Sequence, residues 1–122
     1  MRIGRRSDAG ARTAELATAL VAAAHAAGLA AAQKNTPELA GEPIGFDFAI
    51  AEECGVYDEC EDYFRAFGDH LLVVEYTDDG LAAACAALGD GVSIILRDLY
   101  LVPPDDPDHR YATCRSALAA TP

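Results

Sequence analysis

Polar and ionisable side chains stand at the end of each of four apolar segments in this sequence. Glu52 ends the run FDFAIAE, and Glu75 ends the run LLVVE. A carboxyl group at the end of a buried strand is suited to general acid or base catalysis, because apolar surroundings raise its pKa toward the working pH. The alternative for Glu52 is a solvated charge with no chemical role. The strand-end positions together are Lys34, Asn35, Glu52, Glu53, Glu75, Tyr76, Arg97 and Asp98.

Several of these side chains have a second interpretation. Glu53 follows Glu52 directly, so in a strand it points to the opposite face and is expected at the surface or behind the site. Glu75 lies among apolar residues, where an unpaired carboxylate is costly, so it must be paired or functional. Lys34 can pair with Glu52 or Glu75, or take part in the chemistry itself.

The elements that must position these residues alternate along the chain. Alternating strands and helices imply right-handed βαβ crossovers and a parallel sheet. Parallel α/β folds carry their sites at the carboxyl edge of the sheet, so the strand-end residues are predicted to share one site. Predicted strands cover residues 29–34, 46–52, 71–76 and 92–96; predicted helices cover residues 13–27, 58–67, 79–88 and 111–120, with a short turn at 37–40 and a loop at 103–108.

Length and charge limit what this chain can be. Its 122 residues suffice for one domain with a hydrophobic core, but a complete eight-stranded α/β barrel needs roughly 250 residues. The formal net charge of -11 repels nucleic acid and attracts a polycation, unless it serves only solubility. No run approaches the roughly 20 apolar residues of a membrane span. Residues 1–12 are basic, lack the apolar core of a secretion signal and are predicted to be irregular.

The four cysteines favour disulfides over a metal site. Cys54 and Cys60 bracket a short loop, and Cys85 is within reach of Cys114, although four cysteines allow three pairings. An even number of cysteines suits an oxidising compartment. No CxxC or HxxxH spacing supports a zinc site. No glycine-rich phosphate loop follows the first strand, and this absence disfavours an open-sheet binding module of the flavodoxin type. We therefore predict no metal and no cofactor.

Four segments, in this order, resemble the last four strands of glycoside hydrolase family 114, the endo-α-1,4-polygalactosaminidase-like proteins. They are GLAAAQKN (residues 28–35), FDFAIAEECGVYDEC (46–60), LLVVEYT (71–77) and SIILRDLYL (93–101). The second segment is the most specific, because it joins an acidic strand end to a loop bracketed by cysteines. The resemblance spans about half of that family's domain. It implies an extracellular (β/α)8 barrel that hydrolyses galactosamine-containing polysaccharide with a pair of carboxyl groups.

Carried over by position, the resemblance implies one catalytic residue and a set of substrate ligands. Glu52 matches the glutamate at the end of the sixth strand, which is one of the catalytic pair. Arg97 and Asp98 are equally compatible with an ion pair and with ligands for sugar hydroxyls. The resemblance also implies two disulfides, Cys54–Cys60 and Cys85–Cys114. The residues implied to bind substrate are Lys34, Asn35, Glu75, Tyr76 and Asp98.

This sequence departs from the family pattern at several points. Ala51 stands where the family usually has asparagine, Arg97 replaces a lysine, and Tyr100 replaces an aspartate. The family's other catalytic carboxylate, an aspartate near the end of the fourth strand, lies upstream of Met1 in this comparison. We therefore predict a partial TIM barrel of about four βα units over residues 13–122, with parallel strands and two open strand edges that allow a homodimer.

Two functions of different classes remain open at this point. The first is a glycoside hydrolase segment with one carboxylate missing, and the second is a non-catalytic remnant or carbohydrate-binding relic of such an enzyme. The resemblance and the cysteine pairs imply a secreted or cell-surface location. The expected partner is a polysaccharide, not nucleic acid or a membrane.

Overall fold

The computed structural model of the chain describes residues 8–89 and 91–119. Helices and strands alternate over most of this length, as the sequence predicts. In chain order the elements are α1 (Asp8–Ala26), β1 (Ala32–Lys34), a 3₁₀ turn (Pro37–Leu39), β2 (Phe48–Glu52), α2 (Cys60–Phe67), β3 (Leu71–Glu75), α3 (Asp78–Leu88), β4 (Ser93–Arg97), β5 (Tyr111–Thr113) and α4 (Cys114–Ala119).

The strands form one sheet in the order β1-β2-β3-β4-β5. The first four strands run parallel, which confirms the predicted βαβ pattern. Their register sets Glu52 opposite Val74 and Glu75 opposite Leu96, so the carboxyl ends of β2, β3 and β4 meet at one edge. The molecule is therefore an α/β protein with a five-stranded, mostly parallel sheet.

Strand β5 corrects the prediction of a helix over residues 111–120. Its residues pair antiparallel with β4, Tyr111 opposite Arg97, and the helix begins only at Cys114. The loop before β5 turns the chain back along β4, and Nε of Arg97 donates to the carbonyl of Arg110 at 3.1 Å. Tertiary pairing of this kind overrides local helix propensity. As a result β5 covers the edge of β4 that the sequence predicts to be open.

The first helix begins earlier than the sequence predicts. Because α1 starts at Asp8, residues 8–12 are helical and not irregular, while residues 1–7 lie outside the described part of the chain. The alanine-rich segment has strong helix propensity, and its apolar side packs Ala14 and Val21 against Ile44 of the β1–β2 connection. This small second core fixes α1 against the β1–β2 connection.

The two faces of the sheet differ in what covers them. Helices α2 and α3 pack on the face that carries Ala49, Leu71 and Val73, which are all buried. The other face carries Ile50 and Val74, which are half-buried, and Leu72, which is 44% exposed. Side chains alternate between faces along a strand. Glu52 therefore continues the second face, and Glu75 continues the face packed against the helices.

Two disulfides tie the helices to the rest of the fold. Cys54–Cys60 closes the loop that leads into α2, and Cys85–Cys114 joins α3 to the start of α4, which confirms both predicted pairs.

Within the described residues, no helix combines the length and the apolar character that crossing a bilayer requires.

Candidate functional site

Glu52 is surrounded by hydrogen-bond donors from the neighbouring strand ends. Its Oε1 lies 2.9 Å from Nδ2 of Asn35 and 3.3 Å from Nζ of Lys34. The hydroxyl of Tyr76 donates to the other carboxylate oxygen, Oε2. These residues come from the ends of β1, β2 and β3, so the parallel sheet brings four of the strand-end side chains together.

The backbone of Asn35 explains how this residue reaches Glu52. Asn35 follows β1 with a φ of 60°, a left-handed conformation that asparagine tolerates better than most residues. Its N–H donates to the carbonyl of Ile50 at 2.8 Å, which fixes it beside β2. Its side-chain Oδ1 accepts the backbone N–H of Glu52 at 2.7 Å, while its Nδ2 donates to the Glu52 carboxylate. Asn35 thus holds both the backbone and the side chain of Glu52.

These donors hold the pKa of Glu52 below its ordinary value. The Tyr76 hydroxyl has the largest effect and the Asn35 amide the next; burial opposes them, and the Lys34 ammonium adds a further lowering. The expectation of a raised pKa is therefore wrong for this residue, because donors that favour the charged form outweigh the cost of partial burial. Glu52 is an ionised carboxylate near neutral pH, suited to accept a proton or to attack an electrophilic carbon.

Tyr76 keeps its proton under the same conditions. Burial, followed by the hydrogen bond to Glu52, raises the pKa of Tyr76 to about 12. The phenol is therefore a permanent donor to Glu52 across the working range of most enzymes.

An open cleft of about 500 Å3 lies beside Glu52 at the carboxyl edge of the sheet. Leu99, from the loop after β4, contributes an apolar wall. The cleft combines negative charge with aromatic surface, a combination suited to a cationic ligand that has an apolar face. Its carboxylates and phenol rings are Glu52, Glu53 and Glu59, and Tyr57, Tyr63 and Tyr76.

Glu53 is a strand-end residue whose direction the sequence predicts wrongly, and Glu59 is a member of the cleft that the strand-end pattern does not include. Strand alternation predicts that Glu53 points away from Glu52, but β2 ends at Glu52 and Glu53 has a φ of 61°. This left-handed residue breaks the alternation and turns Glu53 toward the cleft. A backbone conformation of this kind leaves no clear signal in a sequence, although the paired cysteines at Cys54 and Cys60 do mark the segment as a tight loop.

Glu75 does not line the cleft. Its side chain is fully buried between the sheet and the helices, at 0% exposure. One oxygen, Oε2, accepts the backbone N–H of Gly55 at 2.8 Å, and within the described residues Oε1 has no hydrogen-bond partner. Burial raises the pKa of Glu75, the Gly55 bond lowers it, and the nearby charge of Glu53 raises it further. The position is that of a buried carboxyl behind the cleft wall, and its role as a substrate ligand stays a prediction.

Asp98 and Arg97 form the ion pair that the sequence left as one of two alternatives. Nη2 of Arg97 lies 3.2 Å from Oδ1 of Asp98. Asp98 also accepts the backbone N–H of Val102 at 2.8 Å and that of Arg110 at 3.2 Å. The Val102 bond is the main cause that lowers the pKa of Asp98 to about 2. Asp98 thus fixes the loop that carries Leu99 into the cleft, and its role as a sugar ligand stays a prediction.

One group of potential metal ligands occurs behind the cleft, in the described part of the chain. Atoms of Cys54, Cys60 and Glu75 lie within 4.8 Å of one another. Because the two sulfurs are joined as a disulfide, they are not available as thiolate ligands.

Comparison with known proteins gives one match. A protein-family model described as glycoside-hydrolase family GH114 matches residues 5–119, which include every strand-end residue named above. No curated protein and no solved structure matches the chain.

Proposed function

The chain belongs to glycoside hydrolase family GH114, and from that premise we propose that it acts on a galactosamine-containing polysaccharide, with Glu52 as the ionised member of a catalytic carboxyl pair. Hydrolysis of a glycosidic bond needs one carboxyl group to protonate the leaving oxygen and a second to serve as base or nucleophile. The second of these tasks requires an ionised carboxylate.

The observation that carries this proposal is the ring of donors around Glu52. The Tyr76 hydroxyl and the Asn35 amide each hold one carboxylate oxygen, and Lys34 adds a positive charge at 3.3 Å. This arrangement keeps Glu52 charged and fixes the direction of its oxygens before a substrate arrives. Such preorganisation is what a base or nucleophile needs, because no reorganisation is then required during the reaction.

The composition of the cleft supports an amino sugar as the substrate unit. Glu53 and Glu59 add negative charge beside Glu52, and Tyr57 is an exposed aromatic ring at the same wall. A de-N-acetylated galactosamine unit carries an ammonium group that carboxylates attract and an apolar ring face that a phenol can cover. The net charge of -11 would concentrate such a polycation at the protein surface.

We further propose that the sheet is part of a TIM-like barrel whose remaining strands supply the second carboxylate. The family resemblance puts that carboxylate on a strand that precedes β1. The half-exposed face with Leu72 would then face the barrel interior, and pairing would occur at the outer strands β1 and β5, each of three residues. A second copy of the chain is one source of those strands.

The family and the two disulfides fit an extracellular location.

Binding can be tested separately from catalysis. Oligomers of galactosamine, either free or fully N-acetylated, are titrated into the ¹⁵N-labelled protein, and amide shifts are followed by NMR. We expect the free-amine oligomer to shift residues at the Glu52 cleft and to bind more weakly as salt is added. Equal binding of the two oligomers, or shifts away from the cleft, would contradict the proposed substrate class.

A further inference from the structure

The burial of Glu75 and its hydrogen bond to the Gly55 N–H are not explained by a role as a substrate ligand. It is completely buried, yet it carries an ionisable group whose Oε1 finds no partner in the described residues. Burying such a group is costly unless it serves a purpose. Its one hydrogen bond, from the N–H of Gly55 to Oε2, reaches into the loop between β2 and α2.

This β2–α2 loop, residues 53–59, forms one wall of the cleft. Glu53, Tyr57 and Glu59 all line the cleft. The loop is closed by the Cys54–Cys60 disulfide and by the bond from the Glu59 N–H to the Cys54 carbonyl at 2.8 Å. The loop is therefore a compact unit whose placement decides where its three cleft side chains lie.

Gly55 is the point at which this loop meets the body of the protein. A Cβ at Gly55 would clash with the carbonyl of Gly80 and would lie 2.9 Å from the N of Ala84, and a Cβ at Gly80 would clash with Oε1 of Glu75. The backbones of the loop and of α3 therefore approach each other closely, with the Glu75 carboxyl between them. Two glycines make room for one buried carboxyl group.

We propose that Glu75 is a positioning residue, which fixes the β2–α2 loop against α3 through the Gly55 N–H and thereby sets the cleft wall that carries Glu53, Tyr57 and Glu59. The proposal rests on the function proposed above only in calling this wall part of a substrate site. The reach of the Glu75 side chain, and not its charge, is what the loop requires. If Glu75 instead bound the ammonium group of a substrate, its negative charge would matter more than the length of its side chain.

Two variants separate reach from charge. Glu75→Gln keeps the side-chain length and an oxygen that can accept the Gly55 N–H, but it removes the ionisable group. Glu75→Asp keeps the carboxyl group but is one methylene shorter, so it cannot reach Gly55 from the same backbone position. Hydrogen exchange of the Gly55 amide, measured by NMR at one pH, reports directly on the bond. Amides of Val73 and Leu96 in the sheet report on the core.

We expect exchange at Gly55 to quicken roughly fivefold to tenfold in Glu75→Asp, the factor that corresponds to losing about one hydrogen bond. Glu75→Gln should restore exchange to within about twofold of the wild type, and the sheet amides should change little in either variant. The proposal would be overturned if the Gly55 amide exchanged faster in Glu75→Gln while its exchange rate in Glu75→Asp stayed at the wild-type value. Unchanged exchange in both variants would also overturn it, as would equally faster exchange at the sheet amides, which would make Glu75 a core residue with no specific effect on the loop.

A second readout uses the titration with galactosamine oligomer. Glu75→Asp should weaken binding of the oligomer and Glu75→Gln should retain it, because only Glu75→Asp loses the hydrogen bond that positions the β2–α2 loop. If the oligomer does not bind even the wild type, the proposed substrate is wrong, but the exchange experiment still decides the role of Glu75. The two failures are therefore distinguishable.

Discussion

The hydroxyl of Tyr76 donates a hydrogen bond to Oε2 of Glu52 across the ends of two adjacent parallel strands. Tyr76 follows β3 and Glu52 ends β2, so the bond depends on the register that sets Glu52 opposite Val74. The same carboxylate is held from the other side by Asn35, next to β1. Three consecutive strand ends thus converge on a single carboxylate, which is the reason we propose Glu52 as a catalytic group.

Removing the Tyr76 hydroxyl should raise the pKa of Glu52. In Tyr76→Phe the largest cause of the lowered pKa disappears, while burial remains and favours the neutral form. The Glu52 carboxyl carbon, followed by NMR across the pH range, should therefore titrate at higher pH than in the wild type. Tyr57→Phe, also in the cleft, is the matched control and should leave that midpoint in place. A midpoint in Tyr76→Phe that is unchanged or lower would contradict the donor role of Tyr76.

Removing the Asn35 side chain should destabilise the fold. Asn35→Ala loses the bond to the Glu52 backbone and the bond to its carboxylate, at a cost of about 2 kcal/mol in the free energy of unfolding. Thr36→Ala is a suitable control, because Thr36 shares the φ of 60° and its side chain makes no capping bond. We expect that control to cost less than about 0.5 kcal/mol. Urea unfolding measures both, and equal costs would contradict a stabilising role of the two Asn35 hydrogen bonds.

The two disulfides should differ in their contributions to stability. Cys85–Cys114 spans 29 residues of sequence and Cys54–Cys60 spans 6, so the first restricts the unfolded chain more. Replacing both cysteines of a pair by alanine should cost about 3.6 kcal/mol for Cys85–Cys114 and about 2.2 kcal/mol for Cys54–Cys60. Thermal or urea unfolding of the two double variants gives the ranking. A larger loss for the shorter loop would mean that native-state contacts, not chain entropy, determine the difference.

Asp98 should make the protein more stable above pH 4 than in stronger acid. Its folded-state pKa is lowered to about 2 from an ordinary 3.8, so the unfolded chain binds the proton more readily. The contribution is therefore fully present above about pH 4 and is lost as the pH falls through about 2. Asp98→Asn should be less stable than the wild type near pH 6, and the difference should shrink toward pH 2. A difference that stays constant over this range would show that the charge of Asp98 is not what stabilises the loop.

The sequence predicts the parallel part of the sheet well because its signals are local. Apolar runs such as LLVVE and glycines such as Gly68 and Gly89 mark where strands and helices end. The short strand Tyr111–Thr113 escapes such signals, because its partner is β4 and the pairing depends on how the loop between them folds. Residues 8–12 show no helical periodicity in the sequence, so their place at the start of α1 is not predictable from it.

The candidate site is predictable in outline and not in its electrostatics. Strand-end position identifies eight residues, of which Lys34, Asn35, Glu52 and Tyr76 meet in the structure. Whether a strand-end glutamate is buried or exposed to donors depends on its face of the sheet, so Glu52 has a lowered pKa and Glu75 a raised one. The contrast arises because the two side chains leave adjacent strands on opposite faces.

The most direct test of the account is the release of reducing ends from de-N-acetylated galactosamine polymer by the wild type, by Glu52→Gln and by Glu61→Gln. Glu61 is an exposed glutamate on α2 and serves as the matched control. We expect Glu52→Gln to lower the rate by about 10²- to 10⁴-fold, the usual contribution of a catalytic acid or base, and Glu61→Gln to match the wild type. Equal rates of release in the wild type and Glu52→Gln would contradict the assignment of Glu52. No release by folded wild-type protein would contradict the proposal that a second copy of the chain supplies the other carboxylate.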